Sequence, residues 1–176
     1  LEELFAHEQQ TKHKFLIETK IVKGEPHPHL EDKVAALIKQ YHMENRVMFH
    51  SFSAASLKRL QAALPNIPRI LIVGSLKRIN FDVLTYVDGI NLSSDLVTPQ
   101  LVTQLHDLGK KVYVWDEMNE DRAKWTWLVN LNIDGVVTNY TSLGHEFQTL
   151  KAAAVTTSIN DLGANSSLAA LPVYEN

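Results

Sequence analysis

Phe15-Leu16-Ile17-Glu18-Thr19-Lys20 is the stretch on which the reading of the whole chain turns. Its apolar opening suits a strand buried on both faces, as in a parallel sheet covered by helices. Alternation along a strand sets Leu16, Glu18 and Lys20 on one side and Phe15, Ile17 and Thr19 on the other. Both charges therefore share a face at the strand's carboxyl end. Working outward, five further apolar runs follow, and the six strands centre near Leu16, Met48, Leu71, Ile90, Val114 and Val136. Arg69-Ile70-Leu71-Ile72-Val73 likewise reads as buried on both faces.

Helical patterns fill the gaps between strands. Leu30, Val34, Leu37, Ile38 and Tyr41 share one stripe of a 3.6-residue helix, and Leu57, Leu60 and Leu64 make a second, which Ser53 is placed to cap. Thr98 as N-cap, Pro99 at the first helical position, apolar Leu101, Leu105 and Leu108, and Gly109 as terminator bound a third. Asn119 is expected to cap a helix bearing Ala123, Trp127 and Leu128, while Phe81 to Tyr86 has room only for a short one. Strands alternating with helices are the signature of successive βα units around a parallel sheet.

Composition narrows the classes. With 45% hydrophobic and 21% charged residues among 176, the chain has the balance of a soluble globular protein, and one domain is expected. A formal net charge of -3 removes the general electrostatic reason to bind nucleic acid. There is no cysteine, so neither disulfides nor thiolate metal sites can form, and the compartment is left open. No run of about 18 apolar residues suggests a membrane span. The chain opens at Leu1 rather than methionine, which reads as an omitted or truncated upstream part. Residues 151–176 turn to Ala, Thr, Ser and Asn with little apolar periodicity and are expected to be a flexible tail, leaving residues 1–150 as the folded domain.

Candidate chemistry gathers at the strand ends. A carboxylate and an ammonium on one face at the end of a strand suit a site where a divalent cation and a phosphate meet, because hard cations prefer carboxylate oxygen and lysine offers a compact positive charge. The same pair, Glu18 and Lys20, would also make an ordinary edge ion pair. Ser51 and Phe52 end the second strand and Trp115 the fifth, where aromatic rings either line a pocket or complete the core. His50, with no carboxylate beside it in sequence, reads as a satisfied histidine. Asp116 and Glu117, at a loop start, read as solvated or capping, and His27-Pro28-His29 as exposed loop residues without a third ligand. Asp134-Gly135 forms a tight lead into the sixth strand and is mainly structural.

Taken in order, Leu1-Glu2-Glu3-Leu4, Phe15 to Lys20, Ser51-Phe52, Val114-Trp115 and Asp134-Gly135-Val136-Val137-Thr138-Asn139 resemble the glycerophosphodiester phosphodiesterases. Their shared order from Leu1 to about Glu146 carries the likeness, and the tail lies outside it. The resemblance implies a TIM (β/α)8-type barrel, incomplete here with about six βα units of eight. It also implies hydrolysis of glycerophosphodiesters to glycerol 3-phosphate and an alcohol, with a divalent cation, Ca2+ or Mg2+, and a histidine pair. By resemblance Glu18 is the metal-binding glutamate, Lys20 the phosphate-contacting lysine, and Phe52 and Trp115 the aromatics of the glycerol side.

The family's histidine-arginine-glycine strand, its remaining metal carboxylates and its later histidine are expected upstream of Leu1. No catalytic residue is thus expected within this chain, which by itself should be inactive and should leave the edges of its first and sixth strands unpaired. The implied partner is a small glycerophosphodiester, and membrane contact enters only through a missing upstream segment. A degenerate barrel that binds a phosphodiester or a protein partner without catalysis is the alternative, with a phosphatidylinositol phospholipase relative as a third reading. Three local departures from the family pattern are His50 where serine is common, Asp116 where threonine is common, and Thr141 where proline often stands.

Overall fold

The computed structural model describes residues 1–24, 27–116, 121–162 and 174–175. The chain divides into two compact units, Leu1–Asn91 and Leu92–Asn176, where composition suggests one domain.

In the first unit, helix α1 (Glu2–Glu8) precedes strand β1 (Phe15–Glu18), and helix α2 (Leu30–Gln40) leads to β2 (Val47–Ser51). Helix α3 (Ala54–Ala63), strand β3 (Arg69–Val73) and the short α4 (Phe81–Leu84) follow. β1 and β2 run parallel with Leu16 opposite Met48 and Glu18 opposite His50, and β2 runs parallel to β3 with His50 opposite Ile70. Every residue of β2 and β3 is buried, as their continuous apolar character requires. β1 is half-buried along its length rather than buried on both faces. It pairs with β2 alone, so less of the sheet shields it.

The two helical stripes pack as their spacing dictates. Val34 and Ile38 of α2 are buried, as are Leu57 and Leu60 of α3 with Leu64 just beyond it. The Ser53 hydroxyl caps α3 by accepting the Ser56 N–H at 3.2 Å. Helix α1, which carries no strong signal in sequence, earns its place through Phe5. That ring is fully buried, meets Phe15 edge-on at 6.0 Å and lies 6.2 Å from Tyr41. Arg46 then ties α1 to the start of β2, donating to the Glu8 and His13 carbonyls at 3.0 and 2.8 Å while lying over the Phe15 ring.

Strand β4 (Gly89–Ser93) spans the division between the units. The second unit continues with α5 (Pro99–Asp107), β5 (Lys111–Trp115), α6 (Arg122–Asn130), β6 (Gly135–Thr138), α7 (Thr141–Leu162) and β7 (Tyr174–Glu175). Thr98 caps α5 by accepting the Leu101 N–H at 3.1 Å, Pro99 opens it, and Gly109 beyond it adopts φ +70°, a conformation open to glycine. Leu105 and Val102 face inward there, whereas Leu108 is exposed.

Helix α6 starts later than Asn119 would place it. Asp121 is the cap, its carboxylate accepting the Lys124 N–H at 2.7 Å, and Asn119 lies outside the described residues. The later start turns the buried face to Trp125, Leu128 and Val129, leaving Ala123 and Trp127 exposed.

Helix α7 crosses residue 150, where the sequence suggests that the folded domain ends. Ala is the strongest helix former, so an Ala-rich stretch extends a helix already nucleated even without apolar periodicity. Lys151 is buried, and its ammonium donates to the Ile133 carbonyl just before β6. Farther along the expected tail, Tyr174 and Glu175 pair in parallel with Val137 and Thr138. The outer edge of β6, expected to be bare, therefore has a partner strand in β7. No described helix is long and apolar enough to cross a membrane.

One device repeats at the strand starts. The Asp88 N–H donates to the Arg69 carbonyl at 2.7 Å while its carboxylate accepts the Arg69 N–H at 2.8 Å. Asp134 does the same with Val112, its N–H donating at 2.7 Å and its carboxylate accepting at 2.8 Å. In both cases Asp precedes the glycine that begins a strand, and its carboxylate satisfies an N–H at the start of the preceding one, the first of β3 and the second of β5. The Arg69 side chain extends the first clasp inward. Its guanidinium is nearly buried and donates to the carbonyls of Ile67, Tyr86, Pro65 and Leu64 at 2.6 to 3.3 Å.

Around Asp134, the Lys111 ammonium and the His106 ring stand at 2.9 and 2.8 Å. Burial raises the Asp134 pKa, but the Val112 N–H, Lys111 and His106 more than offset it, so the group lies below its ordinary value. A carboxyl lowered on folding contributes stability above its unfolded pKa, about 3.9, and loses it as pH falls through the folded value. Asp134→Ala should cost about 1–3 kcal/mol in urea unfolding at neutral pH, chiefly by orphaning the Val112 N–H. The parent's excess stability over the variant should shrink on acidification below about pH 4. An excess that stays constant across that range would show that the carboxylate is not what closes the clasp.

Candidate functional site at the carboxyl end of β1 and β2

Glu18 is the last residue of β1, yet the chain stays extended through Thr19, whose N–H donates to the His50 carbonyl at 3.1 Å. Ser51 Oγ donates to the Thr19 carbonyl at 2.6 Å, and Thr19 Oγ1 lies 2.8 Å from Ser56 Oγ of α3. Thr19 is thereby held against the helix, and alternation sends Glu18 and Lys20 to the opposite face. The two charges meet there as the sequence suggests, with Lys20 Nζ 3.8 Å from Glu18 Oε2. They differ in setting, because the Lys20 side chain is 73% exposed and that of Glu18 only 25%. Glu18 Oε1 is buried without a hydrogen-bond partner.

His50 shares that face, since it stands directly opposite Glu18 in the parallel ladder. It is 3% exposed, and its Nδ1 has no hydrogen-bond partner. Burial first, and the nearby Lys20 charge second, push its pKa down to about 4, so the ring is neutral at neutral pH. The expectation of a satisfied histidine fails here. What the sequence hides is that Glu18, 32 positions earlier by number, is its neighbour across the ladder. Buried polar atoms without partners are rare in folded proteins, and here two stand on adjacent strands.

Phe52 follows β2 at 40% exposure, and its carbonyl accepts from the Arg78 guanidinium in the turn after β3. Arg78 has no motif to announce it in sequence. Of the loop histidines, His29 is exposed and pairs with Asp32 at 3.2 Å, away from any ligand set.

In the second unit Trp115 ends β5 half-buried, opposite Val137 of β6. Asp116 beside it departs from the sequence reading of a solvated or capping residue. Its carboxylate is buried, accepts from Ser94 Oγ at 2.6 Å, and pairs with the Lys124 ammonium. That hydrogen bond to Asp116 is the chief reason the Lys124 pKa is raised. With Ser94 and Lys124 both on its Oδ2, Asp116 serves a structural ion pair. Glu117 lies outside the described residues.

The donor set fits one side of a hard cation's shell. Glu18 supplies a buried, unmatched carboxylate oxygen, while no group of three or more His, Cys, Asp or Glu placed to hold a metal occurs among the described residues.

Known proteins bear on this arrangement in two ways. Solved structures share the fold. A protein of Galdieria sulphuraria, provisionally assigned as a glycerophosphodiester phosphodiesterase, superposes with a TM-score of 0.69 at 23% identity over 86% of this chain and 63% of its own. One from Silicibacter pomeroyi DSS-3, assigned in the same way, gives 0.71 at 23% over 88% and 56%. The glycerophosphodiester phosphodiesterase of Parabacteroides distasonis gives 0.62 at 17% over 81% and 58%. The chain thus spans about three fifths of the length of these proteins, and its fold class is the TIM-type (β/α) barrel in part. Among curated proteins no sequence matches. The sequence profile of the glycerophosphoryl diester phosphodiesterases matches residues 1–143, and the chain belongs to that family.

Proposed function

We propose that this chain forms the phosphate- and cation-facing part of a phosphodiester hydrolase that cleaves glycerophosphodiesters to glycerol 3-phosphate and an alcohol. The observation that carries the proposal is the pairing at the end of β1, where an exposed ammonium stands 3.8 Å from a carboxylate whose other oxygen is buried and unmatched. Glu18 would hold a divalent cation, Ca2+ or Mg2+, through that oxygen. When bound, such a cation supplies neutralisation of phosphoryl charge. Lys20, in an exposed and therefore weak ion pair, is free to leave Glu18 for a phosphate oxygen at little cost. Phe52 would cover the glycerol moiety, offering an aromatic face just past a strand end.

In this reading the histidine pair that moves protons during hydrolysis comes from outside residues 1–176. The second reading is a non-catalytic barrel that binds a phosphodiester. It is favoured by the make-up of the site, one carboxylate and one imidazole brought together with a lysine.

Two measurements test the proposal. The purified 176-residue chain should release no glycerol 3-phosphate from glycerophosphocholine with Ca2+ or Mg2+, and metal-dependent release would refute the placement of the histidines. Lys20→Met should weaken binding of glycerol 3-phosphate to the chain roughly tenfold by calorimetry, the scale of one charge-assisted hydrogen bond. Unchanged affinity would remove Lys20 from the phosphate site.

A further inference from the structure

Two buried polar atoms on neighbouring strands of the first unit, Glu18 Oε1 and His50 Nδ1, have no hydrogen-bond partner. Their residues are Cα partners in the parallel register, so the side chains leave the sheet on the same side from backbones about 4.8 Å apart. An unpaired buried carboxylate oxygen and an unpaired buried ring nitrogen each carry a desolvation cost. Nothing else described in the protein relieves either one. Lys20 does not, since its ammonium pairs with the other carboxylate oxygen.

We infer that His50 Nδ1 is a nitrogen ligand for the cation held by Glu18, which gives this chain a mixed oxygen and nitrogen site. The inference rests on the reading of Glu18 as a cation ligand and goes beyond it in assigning His50. A neutral imidazole is required, because only the unprotonated nitrogen has a lone pair to donate. His50 offers such a nitrogen in the right place, being buried opposite Glu18 with Nδ1 unmatched. Carboxylate and water alone suit Mg2+ and Ca2+, whereas an added imidazole shifts preference toward first-row transition ions such as Mn2+ and Zn2+. The preferred occupant of this site is accordingly a transition ion.

Mn2+ is a suitable probe, as pulsed electron paramagnetic resonance detects a directly bound 14N through its modulation of the electron spin echo. The parent chain loaded with Mn2+ should show 14N modulation, which should be lost in His50→Ser while Mn2+ remains bound. His50→Gln, closer in volume, should lose it too, and circular dichroism melts of both variants guard against a mere loss of fold. Glu18→Gln should abolish site binding of Mn2+. Glu18-dependent Mn2+ binding whose 14N signal is absent, or survives both His50 substitutions in folded protein, overturns the role of His50 and leaves the cation site standing. Mn2+ binding indifferent to Glu18→Gln overturns the cation site itself, and the inference with it.

Discussion

A carboxylate placed just before a strand governs much of this molecule. Asp88 and Asp134 each exchange two hydrogen bonds with a residue at the start of the preceding strand, Arg69 first in β3 and Val112 second in β5, and a glycine follows each at once. An N–H at the start of a strand is otherwise an unmatched donor, and here it is matched by a group that also sets the offset between two strands. Offset matters because a slip of one residue would turn every side chain to the other face. Arg69 adds to this by gathering four carbonyls at one end of the first unit, where the loops before and after β3 converge. The amino-terminal ends of the strands are in this way devoted to stability, which leaves the carboxyl ends to chemistry, the division of labour usual in parallel α/β barrels.

At those carboxyl ends the local electrostatics are unusual. Thr19 is stitched to Ser51 and Ser56 on the helix side, so the adjoining Glu18 and Lys20 are held on the other. The result is a graded site, with an exposed ammonium outside, a partly buried carboxylate next, and a buried neutral imidazole deepest. The imidazole is kept uncharged partly by the lysine, so the three groups form one electrostatic unit rather than three separate ones. In the second unit the buried carboxylate Asp116 has the opposite fate, with Ser94 and Lys124 occupying it. Two carboxylates that look alike in sequence, each near a strand end, thus differ in their partners, Asp116 being held by a serine and a lysine while Glu18 keeps one oxygen buried and unmatched.

Much of the architecture was legible in the sequence because burial on two faces and helical stripes leave plain signatures. All six strand centres fall within observed strands, and the caps Ser53 and Thr98 perform as their positions imply. The misses have physical causes. Asn119 and Asp121 are both good cap residues by type, and the helix starts from the second, with Trp125 on its buried face. Helix α7 gives no periodic signal past residue 150, since alanine favours helix without marking a face. Helix α1 depends on one ring, Phe5, meeting Phe15. The pairing of Glu18 with His50 could be found only once the strand register was known.

The buried Lys151 has a further consequence. Its ammonium, lowered in pKa chiefly by burial, meets the carbonyl immediately before Asp134, so the end of one strand's clasp is completed from α7. A nascent chain leaves the ribosome amino end first, at roughly 5–20 residues per second. The β5 and β6 segments therefore emerge ahead of the lysine that finishes their union, and the second unit reaches its settled form only after translation has passed well into α7. Synthesis order and the order of structural completion coincide at this point of the chain.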